Sequence, residues 1–281
     1  MRKNRISTQT IILYAGVSLL LFINLFPFYL VFVGSLQPHA DILRGATKLI
    51  PVNFTLKNYV VLFRISGGSP FSTFVLNSIK VAIGAALLST VVATIGAYGL
   101  SRYQFYGKEV IGRMLLLVYV FPTIVVVVPV YDIMAKLRLV DSHLGLILIH
   151  TALTAPFCTW LLRSFFDSVP RELEEAGLVD GCSRWKAFLH IVVPISAAGM
   201  LTTAIYSMVA SWGEYTFVMM LIDSGSKKTV PLGLSAYMQT YGNIEWGKLL
   251  AGTALNVIPI VVIFLPLARY FLKGFMEGAL K

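Results

Sequence analysis

Few residues in this 281-residue chain have types and spacings that could do chemistry, and most of those fail on inspection. Gly242, Gly247 and Lys248 satisfy G-x-x-x-x-G-K, the spacing of a loop whose backbone N–H groups cradle phosphates. Leu249 stands where Ser or Thr would hold Mg²⁺, and no buried apolar strand precedes the string, so it reads as a chance match. His39, His143, His150 and His190 show no zinc-ligand spacing with Cys or carboxylates, and no nucleophile stands beside a plausible base. Two sets remain, and both suit binding rather than catalysis. One is the acidic, small-residue segment holding Glu172, Glu174, Glu175, Ala176, Gly177, Asp180 and Gly181. The other is Glu214 in SWGEYTF, with Trp212 and Tyr215 beside it, inside an otherwise apolar run.

The elements that must carry these sets are set by composition. The chain is 57% hydrophobic and 13% charged, with a mean hydropathy of +0.79, well outside the range of soluble domains. A bilayer core needs about 20 apolar helical residues. Six stretches qualify, at 11–36, 75–100, 114–134, 144–162, 191–222 and 249–267, and their only charged side chains are Lys80, Asp132 and Glu214. They are too long for barrel strands, and helices satisfy their backbone groups internally. An all-α, polytopic membrane protein with a single domain of six spans over 1–281 is therefore expected. The first stretch follows the basic start MRKNR but is too long for a secretory signal and precedes no small-residue cleavage site, so it reads as an uncleaved anchor. Cys158 and Cys182 fall at different depths and read as packing residues.

Lys and Arg set the orientation. With the N-terminus in the cytoplasm, thirteen basic residues lie on that side against nine outside, and both termini and the acidic segment are cytoplasmic. The net charge of +10 is then a topology and lipid-headgroup signal rather than one of nucleic-acid binding. The outer connection 37–73 carries three prolines and reads as a loop with one short helix near 56–63. The inner connection 165–190 reads as helix, turn, helix. Asp167 and Ser168 offer capping oxygens, Pro170 suits a first turn, and Glu172, Glu174 and Glu175 favour the positive helix end. Gly181 permits a positive φ, and Ser183 caps a second short helix. Ala176 and Gly177 strip bulk from one face so that a partner can approach, and Glu175 can pair with a basic partner residue. An interfacial helix lying on lipid is the alternative, but three Glu in four positions would be repelled by anionic headgroups.

Read as Glu175, Ala176, Gly177, three residues, Gly181, nine residues, Ile191, one residue, Val193, Pro194, the segment resembles the EAA loop of ABC importer permeases. Gly177 and Val193 stand where Ala and Leu are usual. The resemblance covers nearly the whole chain after about residue 10 and is similar to the shorter, six-helix permease of maltose-type carbohydrate importers. It is carried by NFTLKNYVVLF at 53–63, NSIKVAIGAALLSTVVATIGAYGLSRYQFYGK at 77–108, FPTIVVVVPVYDIMAKLRLVDSHLGLIL at 121–148, PFCTWLLRSFFDSVPRELEEAG at 156–177 and the ending LKGFMEGALK. Leu267-Ala268-Arg269 departs from the Gln-Arg frequent there.

The resemblance implies a heterodimeric import pore in the cytoplasmic membrane of a bacterium or archaeon. This chain would pair with a second permease subunit. Two cytoplasmic ATPase subunits, carrying ATP and Mg²⁺, would dock on the EAA loops, and an extracytoplasmic solute-binding protein would deliver a carbohydrate. This chain would then hold no cofactor and do no chemistry, with Glu174, Glu175, Ala176, Gly177, Asp180 and Gly181 coupling to the ATPase. Trp212, Glu214, Tyr215 and Asn77 are candidates for the substrate path, since aromatic faces stack on sugar rings while polar groups bind hydroxyls. For Glu214 an aromatic belt near the outer interface is the competing reading, and for Asn77 and Lys80 helix packing or snorkelling. An amino-acid, peptide or polyamine permease shares the EAA loop. A self-contained secondary transporter would need its own ion site and usually an internal repeat, and a membrane-embedded enzyme would need clustered His, Asp or Glu.

Overall fold

The computed structural model describes residues 8–43, 49–50, 53–64, 69–239 and 244–279, and every regular element among them is helical. In chain order these are α1 (Thr8–Ser35), α2 (His39–Leu43), α3 (Lys57–Leu62), α4 (Phe71–Arg102), α5 (Lys108–Leu117), α6 (Thr123–Lys136) and α7 (His143–Ser168). They continue as α8 (Arg171–Val179), α9 (Arg184–Ala187), α10 (Val193–Ile195), α11 (Ala197–Trp212), α12 (Thr216–Leu221), α13 (Val230–Gln239) and α14 (Trp246–Ala279). Four stretches are long and apolar enough to cross a membrane: Gln9–Ser35, Phe71–Arg102, His143–Ser168 and Trp246–Leu265. Two bent pairs raise the number to six if each is one span. The chain is a multi-pass, all-α membrane protein.

The bends of the two pairs fall within the apolar stretches 114–134 and 191–222. Lys108–Val120 and Thr123–Lys136 meet at 103°. Pro122 is the cause, because proline disfavours helical backbone in the residue before it; Phe121 is extended at φ −76°, ψ 127°. Arg184–Ile195 and Ala197–Trp212 meet at 74°. Pro194 has no N–H for the carbonyl four residues back, and a π turn over Phe188–Val192 just before it takes up the mismatch. A second interruption separates α11 from α12, so the fifth stretch is cut twice.

The chain divides into two compact units, residues 1–71 with 234–258, and 72–233 with 259–281. In the first, α3 falls where the short outer-loop helix was expected. Asn58 Nδ2 donates to the carbonyls of Ser35 (2.8 Å) and Gln37 (2.9 Å), and Tyr59 shares a hydrogen bond with Ser35 Oγ (2.6 Å). Gly247 lies in the first turn of α14, where a Cβ would meet Asn58 Oδ1 at 2.5 Å, and Lys248 pairs with Glu245. Both residues of the phosphate-loop-like string therefore have packing roles, while Gly242 lies outside the described residues.

The second unit is built around α7. Near its start Leu146 and Ile149 pack with Val81 of α4 and Phe217 and Leu221 of α12. Near its end Leu162 and Phe166 pack with Tyr98 of α4, Phe188 and Val192. Lipid is as apolar as these side chains, so close fit holds the helices together. Phe165 lies where a Cβ of Gly199 would be, with Cγ at 2.5 Å, so α7 and α11 approach closely there.

Candidate functional site

The acidic segment forms the expected helix, turn and helix, with different caps. α7 runs on to Ser168, whose hydroxyl donates back to Phe165 O at 2.6 Å. Asp167 accepts from Ser101 Oγ at 2.6 Å and lies 3.6 Å from Arg163 Nε. Neither caps α8, which starts after Pro170 with no side-chain cap and Glu172 and Glu174 in its first turn. The other end follows the sequence closely. Gly181 has φ +86°, Cys182 N–H donates to Gly177 O (2.9 Å) and Gly181 N–H to Leu178 O (3.1 Å). These two bonds make a Schellman turn, in which glycine avoids the steric cost of the left-handed region. Ser183 Oγ accepts from Lys186 N at 3.3 Å and caps α9.

The six residues assigned to this site separate by face. Glu175, Ala176, Asp180 and Gly181 are exposed, together with Leu173, Val179 (88% exposed) and Trp185. That surface is a short apolar ridge with acidic residues beside it. Glu174 and Gly177 point the other way. Glu174 accepts from Arg102 Nε at 2.9 Å and from the Tyr98 hydroxyl, and Arg102 also donates to Val169 O at 3.0 Å. Glu174 thus ties α8 to the end of α4 instead of facing a partner. Gly177 would place a Cβ 2.7 Å from Ile191 Cδ1, so its missing side chain serves packing within the loop and not a partner's approach. Tyr98, Arg102 and Phe188 were not picked out from sequence as part of this element. The available signal was the arginine at the α4 end of GLSRYQF, which needs an acidic neighbour if buried.

The second set does not form one cluster. Trp212 is 4% exposed and belongs to the packed interior, so it does not present a ring to a solute. Asn77 is also buried, and its amide donates to Ser226 O (2.8 Å) and Lys228 O (2.9 Å). Both amide hydrogens are used in strapping down the 222–229 loop. Asp141 holds the same loop through Ser224 N (3.0 Å), Ser224 Oγ (2.5 Å) and Lys227 Nζ (2.8 Å). Burial alone would raise the Asp141 pKa; the Lys227 ammonium and the Ser224 donors outweigh it and hold the carboxyl well below the usual range.

Glu214 is the exception in this set. The chain breaks at Gly213–Tyr215, and the Glu214 carboxylate accepts from Phe217 N (3.0 Å) and Val218 N (3.2 Å) at the start of α12. His150 Nε2 lies 3.5 Å from the same carboxylate, while Nδ1 meets Ser211 Oγ at 2.5 Å. A lone carboxylate at a helix centre costs about 2.5–3.5 kcal/mol on the insertion scale. Two amide donors and an imidazole offset that cost, so Glu214 needs neither a pore nor a lipid interface to account for its presence. Tyr215, at 37% exposed, is the one substrate-path candidate that this break presents outward.

Comparison with known proteins identifies the family and the fold. The family model described as binding-protein-dependent transport system inner membrane component matches residues 89–276. The inner membrane ABC transporter permease protein YcjP of Escherichia coli (strain K12) is 31% identical over 281 residues, covering 100% of both chains. The trehalose/maltose transport system permease protein MalG of Thermococcus litoralis is 31% identical over 273 residues, 97% of each chain. Among solved structures, a chain of a bacterial ABC transporter involved in the import of the acidic polysaccharide alginate superposes with a TM-score of 0.78 at 19% identity. That match covers 96% of this chain and 99% of the other, and establishes a shared fold.

Proposed function

Since the chain belongs to the family of binding-protein-dependent transport system inner membrane components, we propose that it is a permease subunit of an ATP-driven carbohydrate importer, supplying half of the translocation pore. The carbohydrate assignment is supported by likeness to a trehalose/maltose permease along 97% of both chains. The coupling assignment is carried by the outward face of α8, where Leu173, Ala176 and Val179 are exposed, closed by the Gly181 turn and fastened to α4 through Glu174.

In this reading α8 and both termini lie in the cytoplasm of a bacterium or archaeon. Two separate ATPase subunits carry ATP and Mg²⁺ and each receives a docking helix. A second permease subunit completes the pore, and an extracytoplasmic binding protein delivers solute. ATP binding draws the ATPases together and α8 moves with them. The nucleotide biases the pore because the ATPases hold its two global states with different affinity. Within this chain, Glu174 and Arg102 make α8 move with α4, and Gly181 sets the angle at which the loop returns to α9.

The test is reconstitution of the complete importer in lipid vesicles with a panel of solute-loaded binding protein. Neutral di- and oligosaccharides should stimulate ATP hydrolysis and accumulate. Stimulation by amino acids, peptides or polyamines with none by carbohydrates would replace this reading with that of a non-sugar permease.

A further inference from the structure

The sequence places His150, Thr154 and Cys158 four residues apart on α7, and Thr203, Ser207 and Ser211 four apart on α11. The structure brings them together in antiparallel register. His150 Nδ1 meets Ser211 Oγ at 2.5 Å, Thr154 Oγ1 meets Ser207 Oγ at 2.8 Å, and Cys158 Sγ lies 3.6 Å from the Thr203 carbonyl. As the index on one helix rises by four, that on the other falls by four. All six residues are at least nine-tenths buried. Beyond the third rung, two turns on along α7 and one along α11, the Phe165 ring seats on Gly199.

One end of this ladder lies at the break after α11, and from the other end α7 and α11 both run on towards the docking loop. At one end α7 passes through Val169 and Pro170 directly into α8, and α11 is reached from the same loop through α9 and α10. At the other end His150 reaches the Glu214 carboxylate that caps α12. Rungs repeated at every helical turn resist sliding collectively, because a shift of register unmakes all of them together and leaves buried polar groups without partners.

We propose that His150, Thr154 and Ser207 are positioning residues that join α7 and α11 into one lever, carrying displacement of the docking helix to the break at Gly213–Tyr215. The proposal rests on the docking assignment of α8. His150 Nε2 lies 3.5 Å from the Glu214 carboxylate, so the lever ends on the group that fixes the break. Thr154 also lies 3.0 Å from Ser89 Oγ, which adds α4 to the same array.

The assembled importer in vesicles tests this in two ways. In a Cys158→Ser, Cys182→Ser background, Thr154→Cys with Ser207→Cys is oxidised to cross-link α7 to α11. A lever that already moves as one piece keeps its uptake after cross-linking. Loss of uptake on oxidation, restored by reductant, would show that the helices must slide and would overturn the proposal. In the chain with its own cysteines, Thr154→Val with Ser207→Val should lower solute imported per ATP by about 10-fold, within the usual range of coupling between sites. Hydrolysis stimulated by loaded binding protein should persist, and Thr154→Ser with native Ser207 should retain coupling. If uptake and hydrolysis fall together, or neither changes, the ladder is only packing. Co-purification of the ATPases with the unsubstituted permease separates these outcomes from failure of the docking assignment, which would abolish that association in every sample.

Discussion

Glu174→Ala should detach α8 from the spans, and the structure indicates how strongly. The side chains of Arg102 and Glu174 are only 8% and 11% exposed, and their contact is 2.9 Å. Removing one partner of a buried pair leaves a charge enclosed without compensation, at a cost of about 3–5 kcal/mol. Glu174→Gln keeps an acceptor for Tyr98 and Arg102 but loses the charge, and should cost about 1–2 kcal/mol, the difference between charged and neutral hydrogen bonds. The exposed pair Lys136–Asp132, at 74% and 62% exposure, makes the control: Asp132→Asn should cost no more than about 0.5 kcal/mol. Thermal unfolding of the purified permease in detergent ranks the three variants, and ATPase pull-down reports whether α8 still presents its face. Arg102→Met with Glu174→Leu, which removes both charges, should recover most of the stability lost in Glu174→Ala. A Glu174→Ala protein as stable as Asp132→Asn, with normal ATPase association, would refute the anchoring argument.

Asp141 supports the 222–229 loop through a lowered carboxyl pKa, so its contribution is complete above the ordinary carboxylate value of about 4 and is lost as pH falls towards the lowered one. Protection of that loop from hydrogen exchange, measured relative to the intrinsic rate at each pH, should therefore fall on acidification in the native protein, and the dependence should be weaker in Asp141→Asn. Because Trp212 is core rather than path, Trp212→Ala should cost about 3–5 kcal/mol and lower the yield of folded protein, instead of selectively weakening uptake. A stable variant with only a raised KM for uptake would return Trp212 to the solute route. For topology, a cysteine at Gly225 should react in intact cells with an impermeant thiol reagent and one at Arg184 should not; the reverse pattern would invert the proposed orientation.

The surface helices were legible because their signals are local. Pro170, Gly181 and Ser183 each act on their own backbone, and the structure places a helix start, a positive φ and a cap at those residues. The apolar stretches were legible for the same reason, as length and hydropathy need no partner. What sequence did not reveal is direction. Glu174 and Glu175 are adjacent and alike, yet one faces Arg102 and the other faces outward, a choice set by the rotation of α8 against α4. Gly177 likewise reads as an open surface until Ile191 is seen against it. The breaks at Pro122 and Ser196 had visible prolines, but a proline in a membrane helix kinks or ends it depending on what can accept the freed carbonyls. The four-residue repeat of His150, Thr154 and Cys158 was in view, and its partner on α11 emerged only with the register between the two helices.

Coupling by the loop is tested most directly at Gly181. No neighbouring atom lies within 4 Å of a Cβ built there, so substitutions act through the backbone alone. Proline would demand a φ near about −65° where the structure has +86°, and would delete the N–H that donates to Leu178. Gly181→Ala, with only the left-handed penalty of about 1–2 kcal/mol, gives an intermediate case. In the reconstituted importer, stimulation of ATP hydrolysis by loaded binding protein should decline from native to Gly181→Ala and be lost in Gly181→Pro, with the permease still inserted in the membrane. A Gly181→Pro importer that keeps its ATPases and native stimulation would contradict the assignment of this loop as the coupling element.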